Sequence, residues 1–478
     1  MRTQCLLVFS LVISLISPAF GQNNERQQFV RVDAPVVVLE HVRLIDGTGA
    51  APVEDQAIVI SGGKLTAVGS LAAITVPTGS KTLDLTGYTV MPGLVGMHDH
   101  LFFPMGGNPP IYSTMGISFP RLYLALGVTT IRTTGSVAPY TDLEVKRRID
   151  SGQMIGPKID VTAPYLEGKG AYTPVMHELT GPDDARRMVN FWADQGATSF
   201  KAYMNITREE LRAAVEEAHK RGMKVTGHLC SIGYKEAAEI GIDDLEHGLF
   251  PDSEFVPDKK PDICPAGVSQ SLLTLDINGP QAQETIKTLV AKNVALTSTL
   301  PVFEASSPLA QNGIGAARAV LNQRMLNTMS DDARIRYLTS RSRIPSTSNY
   351  AVLVRKSMDF ERAFVKAGGL LLAGLDPTGN GGVVAGFGDL REVELLVEAG
   401  FTPVEAIKIA SYNGAKFLGR DSLIGSIAVG KAADLMIVKG DPSKNIFDIE
   451  NVEIVFKDGI GYDSQKLIDS VQGLVGIR

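Results

Sequence analysis

"GLVGMHDHLFF", residues 93–103, decides how the rest of the chain is read. A Pro92-Gly93 turn leads into an apolar run that carries His98, Asp99 and His100. A surface turn with incidental polar residues would explain it, and so would a metal site at the end of a buried strand. Side chains alternate faces along a strand, so His98 and His100 point one way and Asp99 the other. At the C-terminal end of a barrel strand both imidazoles would look into the mouth, where active sites of that architecture lie. Two neutral imidazoles on one side of a strand suit a divalent metal.

The text on either side of this stretch differs. Upstream, "VVVLEHVRLIDG" (36–47), "AIVISGGKLTAVG" (57–69) and "KTLDLTGYTVMPG" (81–93) are short β-branched runs punctuated by Asp-Gly, Gly-Gly and Thr-Gly turns, the pattern of a small antiparallel unit. Residues 22–34 are polar and read as a flexible lead-in. Downstream, strands and helices alternate. "VTTIRTTG" (128–135) and "KIDVTAPYL" (158–166) read as buried strands. "PDDARRMVNFWADQGA" (182–197) reads as a helix with Pro182 in its first turn and Gly196 at its exit. In "TREELRAAVEEAHKRG" (207–222), Thr207 and Glu210 have the spacing of a capping box. Residues 304–350 are less regular and read as an elaborated connection.

About eight strands, each followed by a helix, argue for a (β/α)8 barrel over a doubly wound sheet. Hairpin texture returns from Gly425 in "GSIAVGKAADLMIVKGDP". The simplest organisation is an α/β chain with a small β-sandwich built from both terminal segments, residues 22–90 and 423–478, and the barrel in residues 91–422 between them. A separate C-terminal domain is the alternative.

Polar residues of ligand type end several of these strands. His228 closes "KVTGH", His247 closes "DLEH", and Asp376 closes "LLLAGLD". Each alone reads equally as a cap or a satisfied polar group, and Asp376 before Pro377 as a turn former. Together with the paired histidines they read as a metal site. Lys201 lies within the apolar strand "SFKAYM", where a buried ammonium is costly. It either snorkels from a strand end or reacts with CO2 to give a carbamate, an anionic ligand able to bridge two cations. Tyr203 shares a face with Lys201 and is placed to contact substrate. Arg132 on the second strand could bind a substrate carboxylate or form an internal salt bridge. His177 lies in a loop that could line the pocket.

These positions resemble those of the amidohydrolase superfamily. His-x-His on the first strand, Lys on the fourth, His on the fifth and sixth and Asp on the eighth are its pattern, and "VMPGLVGMHDHL" and "IGSIAVGKAADLMIVKGDP" look like its barrel entry and exit. Lys201-x-Tyr203 and "AGLDPTG" are most similar to the branch of Xaa-Pro-type dipeptidases and N-acyl-amino-acid amidases. The resemblance implies two divalent metals, zinc by default. His98, His100 and Asp376 would hold the more buried ion, His228 and His247 the second, and carbamylated Lys201 both. It also implies hydrolysis of amide bonds in dipeptides or N-acyl amino acids by a shared hydroxide, with Asp376 moving its proton to the leaving nitrogen. Cyclic amides, imidazolone-like rings, esters and lactones are alternative substrates on the same site.

Composition narrows the partners. A formal net charge of −6, with no basic cluster longer than Lys146-Arg147-Arg148, speaks against nucleic acid, and the family resemblance implies a small-molecule substrate. A homo-oligomer is compatible with the sequence. Residues 1–21 have a basic start at Arg2, an apolar run from Cys5 to Ile16 and a small-x-small end at Ala19-Phe20-Gly21. That is the pattern of a cleaved signal peptide, and the run is short of the ~20 residues that span a bilayer. The expectation is an exported protein without a stable membrane anchor. Cys230 and Cys264 could then pair, although so long a chain can bury a core without a staple.

Overall fold

The computed structural model describes residues 26–308 and 322–477. The signal-peptide reading of residues 1–21 lies outside them. Within residues 22–34 the lead-in is not wholly loose, because Val30–Val32 forms a strand that pairs with Ile460–Asp463.

Both chain ends supply one nine-stranded sheet. Val36–Leu44 pairs with Val53–Ser61, while Leu435–Lys439 lies between Tyr88–Pro92 and Val452–Lys457. The sheet is assembled from both termini and curls on itself, because Lys64 in its edge hairpin bridges Ala432 and the Gly63 carbonyl accepts from the Ala433 amide. Period-2 alternation drives it: Val37, Leu39, Ile58, Ile60, Leu435, Ile437, Ile454 and Phe456 share a separate core.

Between the two halves run eight parallel strands: β1 (Leu94–Asp99), β2 (Val128–Thr133), β3 (Lys158–Val161), β4 (Ser199–Ala202), β5 (Lys224–Gly227), β6 (Asp244–Glu246), β7 (Ala295–Ser298) and β8 (Leu371–Ala373). They pair in chain order as β1 to β3 and as β4 to β8. A parallel bridge from Thr162 to Ser199 joins the two runs. At the other end the Asp376 amide donates to the His98 carbonyl at 3.0 Å. Gly374 permits that approach, since a Cβ there would lie 2.5 Å from the His98 nitrogen. These strands are short and mostly buried, as strands covered on both faces must be, with polar residues such as Arg132, Lys201 and Glu246 among them.

Helices fill the connections. Pro182–Gln195 starts on its proline and stops at Gly196, whose φ of 103° ends the helix in a left-handed turn. Arg208–Lys220 begins on Thr207, and both bonds of the Thr207–Glu210 capping box are formed. Among the described residues of 304–350 are the helices Gln323–Thr328 and Asp331–Ser342.

Cys230 and Cys264 form a disulfide across a sequence separation of 34. It fastens the segment after β6 to the residues just past β5. Closing a loop of that length removes about 3–4 kcal/mol of unfolded-state freedom. Reducing the bond, or Cys264→Ser, is therefore expected to lower the melting temperature, measured calorimetrically with and without reductant. Superimposable melts would contradict the pairing.

Candidate active site

The C-terminal ends of the parallel strands bring six side chains together. β1 carries His98, with His100 just beyond it, and β4 carries Lys201. His228, His247 and Asp376 follow the ends of β5, β6 and β8. His98, His100, Lys201, His247 and Asp376 are buried, and His228 is partly exposed. All six line one cavity of about 480 Å³ whose walls include Tyr112, Tyr165, Tyr203, Phe250, Phe303 and Tyr350.

Distances within the group are short. Lys201 Nζ lies 3.2 Å from His98 Nε2. Asp376 Oδ1 lies 3.5 Å from His100 Nε2 and 3.9 Å from His98 Nε2, and Oδ2 lies 3.8 Å from His247 Nδ1. Ring centroids are 4.4 Å apart for His98 and His247, and 4.5 Å for His228 and His247. His247 and Asp376 adopt positive φ, 72° and 50°, a costly backbone for residues other than glycine. At both positions the strand has ended and the chain turns sharply toward the cavity.

Electrostatics prepares these groups as electron-pair donors. Burial keeps the imidazoles deprotonated, pushing His100 down to about 4, His228 to about 3 and His247 well below its usual range. Burial also lowers the Lys201 amine to about 8. For Asp376 burial opposes ionisation, but the surrounding imidazoles overcome it and hold the carboxyl well below the carboxylate range.

Glu246 is the residue that sequence reasoning missed. Its Oε2 accepts from His98 Nδ1 at 2.7 Å, which turns His98 Nε2 toward Lys201. Its Oε1 accepts from Arg132 Nη2 at 2.8 Å. Burial disfavours the Glu246 charge, yet Arg132 and His98 hold its carboxyl well below the usual range. Thr299 Oγ1 fixes His247 in the same manner, 2.8 Å from Nδ1.

Two of the substrate contacts expected from sequence are corrected here. Arg132 is 1% exposed, and its Nε and Nη2 donate to Glu246, Asp244 and the Met97 carbonyl. It stands beneath the site as an internal ion pair and cannot meet a substrate carboxylate. His177 Nε2 is taken by Asp184 at 2.9 Å, and the ring borders a different hollow beside Trp192. Tyr203 does line the cavity, with its ring 4.9 Å from that of His228. Asp99 faces away, packed over Gly96, and burial followed by the neighbouring Asp389 drives its carboxyl well above the usual range.

Residues 89–460 match the Amidohydrolase family. The chain belongs to that family. Among curated proteins no relative matches it. Among solved structures, a protein from Bifidobacterium longum assigned as a prolidase is 26% identical, with a TM-score of 0.66 over 91% of this chain and 98% of that one. A Xaa-Pro dipeptidase with bound methionine in its active site is 22% identical, with a TM-score of 0.64 over 90% of this chain and 100% of its own. A. niger ochratoxinase is 20% identical, with a TM-score of 0.62 over 90% and 96%.

The amidohydrolase is thus a hydrolase of carbon–nitrogen bonds. Members of the family are metal-dependent, and the donor set here fits that requirement. Ligand atoms of His98, His100 and Asp376 lie within 4.8 Å of one another. Among the described residues the buried Asp376 Oδ1 has no hydrogen-bond partner, and a cation would satisfy it.

Proposed function

We propose that this amidohydrolase is an exported binuclear enzyme that hydrolyses amide bonds of dipeptides or N-acyl amino acids. In this reading the eight parallel strands close as a (β/α)8 barrel, with the six side chains around its mouth. The observation that carries it is Lys201 Nζ, buried 3.2 Å from His98 Nε2 on the same cavity as three further imidazoles and Asp376. An ammonium in that company is poorly tolerated, and a carbamate formed from CO2 would turn Lys201 into an anion between two sites. His98, His100 and Asp376 would hold one ion, His228 and His247 the other, and Lys201 both; zinc suits these nitrogen and oxygen donors. When bound, two divalent cations acidify water and polarise the scissile carbonyl.

The chain's own residues do the rest. Glu246 and Thr299 fix the orientation of His98 and His247. Asp376, ionised and aimed into the cavity, takes the proton from the attacking water and delivers it to the leaving nitrogen. Tyr112, Tyr165 and Tyr203 border the cavity, their phenols pushed up by burial and hence neutral donors for substrate oxygens. Export is supported by the Cys230–Cys264 disulfide, a bond typical of oxidising compartments.

The test is a kcat/KM comparison of dipeptides, N-acyl amino acids, cyclic amides and aryl esters on metal-replete enzyme, repeated after chelation. Acyclic amides are expected to lead the panel. Removal of metal should cost at least roughly 10³-fold, reflecting several kcal/mol of transition-state charge stabilisation, and zinc should restore activity. Full turnover by metal-free enzyme, or a clear preference for cyclic amides, would overturn the reading.

A further inference from the structure

A second hollow of about 360 Å³ lies beside the active-site cavity, lined by Pro139, Pro164, Val175, Met188, Phe191 and Trp192. Two of its apolar residues are open, Val175 at 50% and Phe191 at 45% exposure, over a floor made by the buried Trp192; Tyr140, outside the hollow, stands 5.1 Å from the Trp192 ring. A concave, mostly apolar hollow with a few polar groups at its edge has the make-up of a ligand-binding subsite. What it binds follows from where it lies.

Only a thin ridge separates it from the cavity. Val137 lines both hollows. In the loop after Tyr165, Tyr172 and Met176 line the cavity, while Val175 and His177 line the groove. A chain leaving the cavity across Val137 therefore enters the groove directly. Arg187 and His177 at its edge both lean on Asp184, so neither charge is left facing the apolar surface alone.

We infer that this groove binds the distal apolar side chain of a peptide-like substrate longer than a dipeptide. The inference rests on the amide-hydrolase reading of the neighbouring cavity. It makes Phe191 and Trp192 specificity residues for the part of the substrate remote from the scissile bond.

The chain's single tryptophan is Trp192, so its emission reports on groove occupancy independently of turnover. Metal-replete enzyme would be titrated with alanyl-leucine and with the two tripeptides made by adding phenylalanine at either end. In parallel, kcat/KM would be measured with products identified by mass. One tripeptide is expected to give a saturable change in Trp192 emission that the dipeptide does not. It should also be favoured about tenfold in kcat/KM, chiefly through KM, as burial of an aromatic ring predicts. In Phe191→Asp both the emission change and the preference should vanish.

No saturable change, or a preference that survives Phe191→Asp, overturns the inference. So does a Phe191→Asp variant that changes only the oligomeric state, since the groove would then be a contact between copies. A saturable, Phe191-dependent emission change without hydrolysis of any peptide would instead overturn the reading of the cavity and leave the groove as a binding site for an apolar peptide side chain.

Discussion

Lys201→Ala is expected to lose bound metal and turnover together. Lys201 Nζ sits 3.2 Å from His98 Nε2 and lies 5.6 and 5.8 Å from the rings of Tyr165 and Tyr203. If the amine served only as a buried cation, its removal would relieve repulsion with any metal nearby and improve metal binding. If it is a carbamate, the same change deletes the one ligand common to both ions. The two roles thus predict opposite shifts in metal content. The expected result is a fall from about two metals per chain to one or fewer, with kcat/KM down by roughly 10³-fold or more. A short carboxylate such as acetate, diffusing into the space left by the side chain, should recover part of both, because it restores an anionic oxygen bridge. Metal content at or above that of the native enzyme would sink the carbamate.

How much of this could be read from sequence depended on where regular alternation holds. His98 and His100 were readable as a pair because period 2 fixes their faces before the strand ends, and the same rule set Asp99 aside. Lys201 and Tyr203 shared a face for the same reason. At β6 the rule fails. Alternation places Glu246 and His247 on opposite sides, yet the positive φ of His247 lets both serve the site. The only available signal for Glu246 was two carboxylates spaced i, i+2, Asp244 and Glu246, in a strand too short to need them. Arg132 was readable as a strand residue but its pairing was not, since its carboxylate partners come from β6, over a hundred residues away. The nine-stranded sheet was legible as strands from both termini but its strand order was not, because runs of Val and Ile carry no label for their neighbours.

Asp376→Asn separates two roles that the geometry assigns to one side chain. As a metal ligand Asp376 supplies an oxygen, which asparagine also has. As a proton carrier it supplies a base, which asparagine lacks. Its carboxyl is held well below the carboxylate range despite burial, so it is ionised at neutral pH and has a lone pair for the proton of the attacking water. The variant is expected to keep most of its metal and to lose about 10²–10⁴ in kcat, the usual span for general acid–base catalysis. The loss should also depend on the leaving group. An alkyl amine departs only when protonated, so simple amides should suffer the full reduction. A p-nitroanilide departs more readily as it stands and should lose less, since the second half of the proton transfer matters less to it. Equal losses across leaving groups, accompanied by loss of metal, would reduce Asp376 to a ligand and assign the proton transfer to another group lining the cavity.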